Sequence, residues 1–263
     1  MSAPRPGLAA ALAALAPALL LAGCGSAAPA GPGAAGATPA AVGGTITVLA
    51  AASLTGAFTT IGHDFEASHP GSTVVLSFGS SATLAAQVAQ GAPADVFAAA
   101  SPATMATVRE QVDAPVDIAS NTLEIAVPAG NPGRVHGLAD FADPHLRIAV
   151  CAPQVPCGAA AAQLFAAAGV EAEPDTLESD VKAVLQKVTS DEVDAALVYR
   201  TDVLAAGAQV EGIDVPQASA AVSRYPVAVV RASRNPVTAA AFVAQVRSAD
   251  GQRVLRAAGF ARP

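Results

Sequence analysis

The stretch "ITVLAAASLTGAF", from Ile46 to Phe58, joins an apolar run to small side chains and hydroxyls. Its first residues, up to Leu49, form an apolar run that follows two glycines, as in a buried strand. Three alanines come next, and then the hydroxyl residues Ser53 and Thr55. Small side chains at a strand end let another molecule approach the backbone, and hydroxyls can donate hydrogen bonds to it. We therefore expect a ligand at this strand end.

Short apolar strands alternate with helical patterns along the rest of the chain, as in "STVVLSFGSS" (72–81), "ADVFAAAS" (94–101) and "DAALVY" (194–199). This alternation predicts an α/β fold with a mostly parallel sheet. Ligands of such folds bind at the carboxyl ends of the strands. The candidate binding residues at those ends are Ser53, Ser80, Ser81, Ser101, the loop 153–158 and Tyr199.

Several of these strand ends lead directly into a helix, for example "SFGSSATLAAQ" and "QVPCGAAAA". The first N–H groups of a helix are unpaired and carry partial positive charge, so with added hydroxyls they form an anion site. The alternative for any single serine is ordinary helix capping. The segments "LAAASLTGA", "SFGSSATLA" and "PQVPCGAAA" contain no charged residue. Such a site suits a fully ionised oxyanion, which needs many donors and no acceptor.

The composition and the absence of familiar motifs argue against other functions. The net charge is −7 with only 14 Lys and Arg, and we find no basic patch for nucleic acid. The sequence has no G-x-S-x-G, Walker A or H-E-x-x-H motif, and its four His have no zinc-like spacing from the cysteines. We therefore predict no enzyme activity, no cofactor and no direct metal ligands. Asp95 is expected to anchor a turn or hinge, and Lys182 and Arg200 to point into solvent.

The chain begins with an arginine, a short apolar stretch and "LAGC", which ends at Cys24. This pattern predicts a signal peptide over residues 1–23, with a membrane-spanning anchor as the alternative. "LAGC" resembles the lipobox of bacterial lipoproteins, which implies lipidation at Cys24. Residues 24–44 are rich in Pro, Gly and Ala and read as a flexible tether. We expect an extracytoplasmic protein that is anchored to the cell membrane through its lipid.

Two other cysteines, Cys151 and Cys157, lie close together in "VCAPQVPCGAA". An even pair in an exported protein favours a disulfide. The alternatives are two free residues or, less favoured, a metal site.

Five segments together resemble the molybdate-binding proteins of bacterial ABC importers: "ITVLAAASLTGAF", "FGSSATLAAQVAQGAPADVFAAAS", "QVPCGAAAAQLF", "ALVYRTDV" and "YPVAVV". The resemblance runs in order from about residue 45 to 260. It implies a type II periplasmic-binding-protein fold, in which two α/β lobes joined by a hinge enclose the ligand. One lobe would comprise residues 45–122 and 225–263, and the other residues 123–224. We place the hinge near Thr122–Leu123 and Ser223–Tyr225.

The resemblance also implies a ligand set that agrees with the donor-rich strand ends. The residues carried over are the hydroxyls of Ser53, Ser81 and Tyr199 and the main-chain N–H groups of Cys157 and Val181. Better-known members have Ala where this chain has Cys157, and no Cys that matches Cys151. The implied ligand is molybdate or tungstate, which a monomer would deliver to a membrane permease driven by a cytoplasmic ATPase. The rival functions are the binding of another oxyanion, such as sulfate or thiosulfate, and an exported serine hydrolase.

Overall fold

The computed structural model describes residues 41–263. The predicted signal peptide, the lipidation site Cys24 and most of the predicted tether lie outside the described residues. The strands are β1 Gly44–Ala51, β2 Ser72–Gly79, β3 Val96–Ala98, β4 Val116–Asn121, β5 Leu123–Pro128, β6 Ile148–Cys151, β7 Thr176–Glu178, β8 Ala195–Tyr199, β9 Val210–Ile213 and β10 Ser223–Val229. The α-helices are α1 Thr55–Ser68, α2 Ser81–Ala89, α3 Pro102–Ala106, α4 Pro156–Ala168, α5 Val181–Thr189, α6 Arg200–Ala206, α7 Pro236–Arg247 and α8 Ala249–Ala257.

The strands form two five-stranded sheets, and each sheet belongs to one α/β lobe. The first has the order β2-β1-β3-β10-β4, and the second has the order β7-β6-β8-β5-β9. The chain passes from the first sheet to the second between Asn121 and Leu123. It returns before β10, which starts at Ser223. This arrangement of two α/β lobes agrees with the predicted fold class, while the exact hinge positions remain predictions.

The prediction of a mostly parallel sheet is wrong, because both sheets are mixed. In the first sheet β1 pairs in parallel with β2 and β3, but β10 is antiparallel to both β3 and β4. In the second sheet β6 pairs in parallel with β7 and β8, but β5 is antiparallel to both β8 and β9. The two antiparallel strands, β5 and β10, are the first strands after each crossing between the sheets, and a local pattern of strand and helix does not specify the direction of a strand after such a crossing.

Short strands and helix ends account for the other differences. The strands β4, β7 and β9 were not recognised from the sequence; β7 and β9 have only three and four residues. The break between α7 and α8 lies at Ser248, whose side chain accepts a hydrogen bond from the Gly251 N–H. Gly251 lies inside α8, close to the end of α7. A Cβ at this position would come within 2.3 Å of the Gln245 carbonyl oxygen, so the position requires glycine. This glycine therefore permits close packing of α8 on α7.

Each lobe has its own apolar core. In the first lobe the rings of Phe58 and Phe65 on α1 pack edge-on against Phe242 on α7. In the second lobe Leu164 of α4 and Val184 of α5 are completely buried against the sheet. No helix in residues 41–263 is both long and apolar enough to cross a membrane.

Candidate functional site

A cavity of about 20 Å³ lies where the two lobes meet. The six strands that pair in parallel, β1 to β3 and β6 to β8, all end at or within a few residues of it. The cavity is lined by Ala51, Ala52, Ser53, Gly79, Ser80, Ser81 and Ala100 from the first lobe, and by Val155, Pro156, Cys157, Asp180, Val181 and Tyr199 from the second. The structure therefore brings the five predicted ligand residues to one place.

The volume of the cavity restricts the type of ligand. One water molecule needs about 10–15 Å³ by this kind of measure, so a cavity of 20 Å³ holds little more than one small polar species. An ion of a few atoms is the class of ligand that matches the space.

Ser81 is oriented to donate a hydrogen bond. Its Oγ accepts a hydrogen bond at 3.0 Å from the Ala100 N–H, which lies just after the end of β3. The hydroxyl proton of Ser81 is therefore free for another acceptor. Ser81 is also the first residue of α2, so its main-chain N–H has no partner within the helix.

Ser53 and Tyr199 each have a second hydroxyl behind them. Ser53 Oγ lies 3.0 Å from the phenolic oxygen of Tyr225, and the phenolic oxygen of Tyr199 lies 3.1 Å from Ser223 Oγ. If the rear hydroxyl donates in each pair, the front hydroxyl keeps its own proton for the cavity. Burial raises the pKa of Tyr199 to about 12 and that of Tyr225 well above its ordinary value. Both phenols therefore stay protonated at neutral pH.

On the second lobe, Asp180 leaves one helix N–H available. Its Oδ1 accepts from the N–H groups of Lys182 and Ala183 at 2.8 and 3.1 Å. The N–H of Val181, the first in α5, is then the remaining donor of this turn. Asp180 also lines the cavity, and it is the one acidic residue among the lining residues.

The loop that carries Cys157 is closed by the predicted disulfide, because Cys151 and Cys157 are bonded. Pro156 has no N–H, so Cys157 offers the first main-chain donor of α4. The next residue is Gly158, where a Cβ would lie 1.9 Å from the Ala152 carbonyl oxygen. The absent side chain thus lets the start of α4 pack on the backbone of the preceding loop.

The expectation that Lys182 points into solvent is wrong. Its Nζ lies 2.8 Å from Oδ1 of Asp202, which is fully buried. Burial raises the pKa of Asp202, and the nearby Lys182 charge offsets part of that rise. Asp202 Oδ2 also accepts from the Tyr199 N–H at 3.2 Å, so one carboxylate links the start of α5 to the end of β8. Arg200 is about half exposed, with Asp214 3.5 Å away.

Two other residues singled out in the sequence have structural roles. Ser101 caps α3 by accepting from the Thr104 N–H at 3.3 Å, and it lines a wider neighbouring groove rather than the small cavity. Asp95 accepts hydrogen bonds from the Thr47 N–H at 2.7 Å and from the Ser233 hydroxyl. These bonds join the residue before β3 to β1 and to the segment that follows β10. Within residues 41–263 no group of three or more His, Cys, Asp or Glu could hold a metal ion.

Sequence reasoning did not assign Tyr225, Ser223 or Asp202 to the site. The first two lie in "SRYPVAV", and no local motif indicates that their hydroxyls reach residues 24 and 172 positions away. Asp202 had a recognisable signal, because an acidic residue three positions after a strand end commonly caps the helix that follows.

Comparison with known proteins adds the family. The family model described as "Bacterial extracellular solute-binding protein" matches residues 46–261. The chain is 42% identical over 221 residues to a Mycobacterium tuberculosis protein named "Molybdate-binding protein ModA", covering 83% of this chain and 85% of that one.

Two solved structures share the fold. The periplasmic molybdate-binding protein of Azotobacter vinelandii superposes with a TM-score of 0.73 at 22% identity, covering 83% of this chain and 99% of that one. The sulfate-binding protein SubI of Mycobacterium tuberculosis superposes with a TM-score of 0.71 at 20% identity, covering 82% and 86% of the two chains. At these identities the likeness concerns the fold and does not select a ligand.

Proposed function

The chain belongs to the bacterial extracellular solute-binding proteins, and from that premise we propose that it captures molybdate and delivers it to an ABC importer. It is a binding protein rather than an enzyme. The proposed ligands are the hydroxyls of Ser53, Ser81 and Tyr199 together with the main-chain N–H groups of Cys157 and Val181.

The observation that carries this proposal is the convergence of neutral donors from both lobes on one small cavity. No lysine or arginine lines it, so the negative charge of the ligand would be stabilised by hydrogen bonds alone. Each such bond to a charged group contributes about 1.5–3 kcal/mol, and a dianion is costly to bury, so many donors are needed. Donors on two lobes meet only when the lobes are closed, and the ligand would therefore favour the closed arrangement.

The neutral donors around the cavity suit molybdate and tungstate. Both are tetrahedral oxyanions, and we propose that the site binds both. Sulfate is smaller and would not reach all the donors of a fixed ring. Asp180 supports one further candidate, hydrogen phosphate, because its carboxylate could accept the proton of that anion. The 42% identity to a protein named for molybdate favours the first proposal.

The cellular setting is part of the proposal. "LAGC" supports cleavage before Cys24 and lipid attachment there, so the domain would be held at the outer face of the cell membrane by the tether. The partners would be a permease and its cytoplasmic ATPase, and the protein would act as a monomer.

Calorimetric titration of the purified protein with molybdate, tungstate, sulfate and hydrogen phosphate tests this function. We expect one-to-one binding of molybdate and tungstate and no heat with the other two. Ser53→Ala and Ser81→Ala should each weaken molybdate binding by about 1.5–3 kcal/mol, or roughly ten- to a hundredfold. If the protein preferentially binds sulfate or hydrogen phosphate, that anion and not molybdate is its cargo. If Ser53→Ala and Ser81→Ala both leave molybdate affinity unchanged, the proposed ligand residues are wrong.

A further inference from the structure

The hydroxyl of Ser80 has no hydrogen-bond partner in the structure, although Ser80 is 94% buried. Buried polar groups nearly always have a partner, because an unpaired one has lost its hydrogen bonds to water without gaining others. In residues 41–263 the buried side-chain oxygens without a hydrogen-bond partner are Ser72 Oγ, Ser80 Oγ, Thr176 Oγ1 and Asp202 Oδ1. The last is held by its ion pair with Lys182. Ser80 is the one among these residues that lines the small cavity.

Helix capping does not explain Ser80. Ser80 occupies the cap position just before α2, where a serine ordinarily accepts a hydrogen bond from an N–H in the first helical turn. Its side chain makes no such bond. Ser101 does make one at the start of α3, so this chain shows what a capping serine looks like. The two serines lie at equivalent strand-to-helix junctions of the same lobe, and they behave differently.

We propose that Ser80 is an additional ligand residue, whose hydroxyl donates to the oxyanion bound beside Ser81. This inference rests on the proposed function, since it assigns one more donor to the same site. Ser80 is next to Ser81 in the chain and faces the same cavity. A ligand oxygen there would satisfy the unpaired hydroxyl, while the Ser81 hydroxyl is positioned separately by the Ala100 N–H.

The unpaired hydroxyl gives the inference a signature that a cap would not give. In the ligand-free protein, Ser80→Ala removes a buried group without a partner, so the unfolding midpoint should stay constant or rise. In the bound state the same change removes a donor to a charged ligand, so molybdate affinity should fall about ten- to a hundredfold. If Ser80 only capped its helix, Ser80→Ala would instead lower the unfolding midpoint by about 2–4 °C and leave the molybdate affinity unchanged.

Two matched serine variants serve as controls. Ser72→Ala removes another buried, unpaired hydroxyl at the opposite end of β2, so it should leave both midpoint and affinity constant or raise the midpoint alone. Ser101→Ala removes a real cap and should lower the midpoint by about 2–4 °C without changing the affinity.

The test is calorimetric titration with molybdate and thermal unfolding without ligand, for the wild type and the three variants. Weaker binding by Ser80→Ala with an undiminished midpoint, and unchanged affinity in both controls, would support the assignment. Wild-type binding together with equal affinity in Ser80→Ala would overturn the role of Ser80 and leave the proposed function standing. A wild type that does not bind molybdate would overturn the proposed function, and the Ser80 assignment with it.

Discussion

The phenolic oxygen of Tyr225 lies 3.0 Å from the hydroxyl of Ser53, 172 positions earlier in the chain. Tyr225 is fully buried, and its ring packs edge-on against both Tyr199 and Phe260. Because Tyr225 does not line the cavity, its contact with the ligand would be indirect, through Ser53. Four buried hydroxyls thus form two pairs, in which Ser53 and Tyr199 line the cavity and Tyr225 and Ser223 lie behind them.

Tyr225→Phe should weaken molybdate binding about two- to tenfold, since it removes one neutral hydrogen bond that orients the Ser53 hydroxyl. The ring and its packing remain, so the fold is retained. The measurement is a double-mutant cycle with Ser53→Ala, in which the affinity of each variant is determined by calorimetry. If Tyr225 acts through Ser53, Tyr225→Phe has little further effect once Ser53 is alanine. Equal effects in both backgrounds would show that Tyr225 acts by another route.

Lys182→Met should destabilise the protein by about 2–3 kcal/mol at pH 7.5, because it leaves the buried Asp202 without its cation. We place this value below the usual cost of breaking a buried pair because the Lys182 side chain is about one-third exposed. The measurement is urea unfolding, and the matched control on the same helix is Lys187→Met. Lys187 pairs with the exposed Glu192, so its loss should cost far less stability than the loss of Lys182.

The destabilisation by Lys182→Met should shrink in acid. Burial raises the pKa of Asp202 above its unfolded value, and removing Lys182 raises it further. Asp202 then takes up a proton as the pH falls through its folded pKa, and the neutral carboxyl no longer needs a cation. The difference in unfolding free energy between the variant and the wild type should therefore be smaller at pH 5 than at pH 7.5. A difference that is independent of pH would contradict this explanation.

Replacing both cysteines of the loop, as Cys151→Ala with Cys157→Ala, should weaken molybdate binding, because the bridge closes the loop that presents the Cys157 N–H. The chain-entropy model gives a stability loss of about 2 kcal/mol for a loop this short. The measurements are calorimetric titration and urea unfolding of the double variant and of the wild type under reductant. Lower stability with unchanged affinity would mean that the bridge holds the fold and not the donor.

Raising the pH from 10 to 12 should lower the unfolding free energy. Burial raises the pKa of Tyr199 to about 12 in the folded protein, against an ordinary value near 10. The phenolate is therefore less favourable in the folded state than in the unfolded state. The stability is then complete below pH 10 and is lost as the pH rises towards 12. Tyr199→Phe should flatten part of this fall in urea unfolding series.

Molybdate affinity should stay level between about pH 7 and 9, where neither Tyr199 nor Tyr225 loses its proton. A decline of the affinity in that range would place another titrating group at the site.

Local patterns determined the α/β class and the donor-rich strand ends. Apolar runs that end in small residues and hydroxyls, followed by helical periodicity, are readable within about a dozen residues. The resemblance based on the same segments supplied Ser53, Ser81, Cys157, Val181 and Tyr199 as ligands, and the structure places all five around one cavity. The Cys151–Cys157 bridge was also predicted from the sequence, because the two cysteines form an even pair in a chain that begins with a predicted signal peptide.

The tertiary structure alone decided what stands behind those residues. The Tyr225–Ser53 and Asp202–Lys182 pairs join elements that are distant in sequence or lie on different helices, so no periodic pattern encodes them. The same holds for the antiparallel strands β5 and β10, whose direction depends on how the chain crosses between the lobes. The residues next to a serine in the sequence likewise do not show whether its side chain caps the helix or keeps a free hydroxyl. Ser80 and Ser101 both precede a helix, and only their surroundings in the folded chain distinguish them.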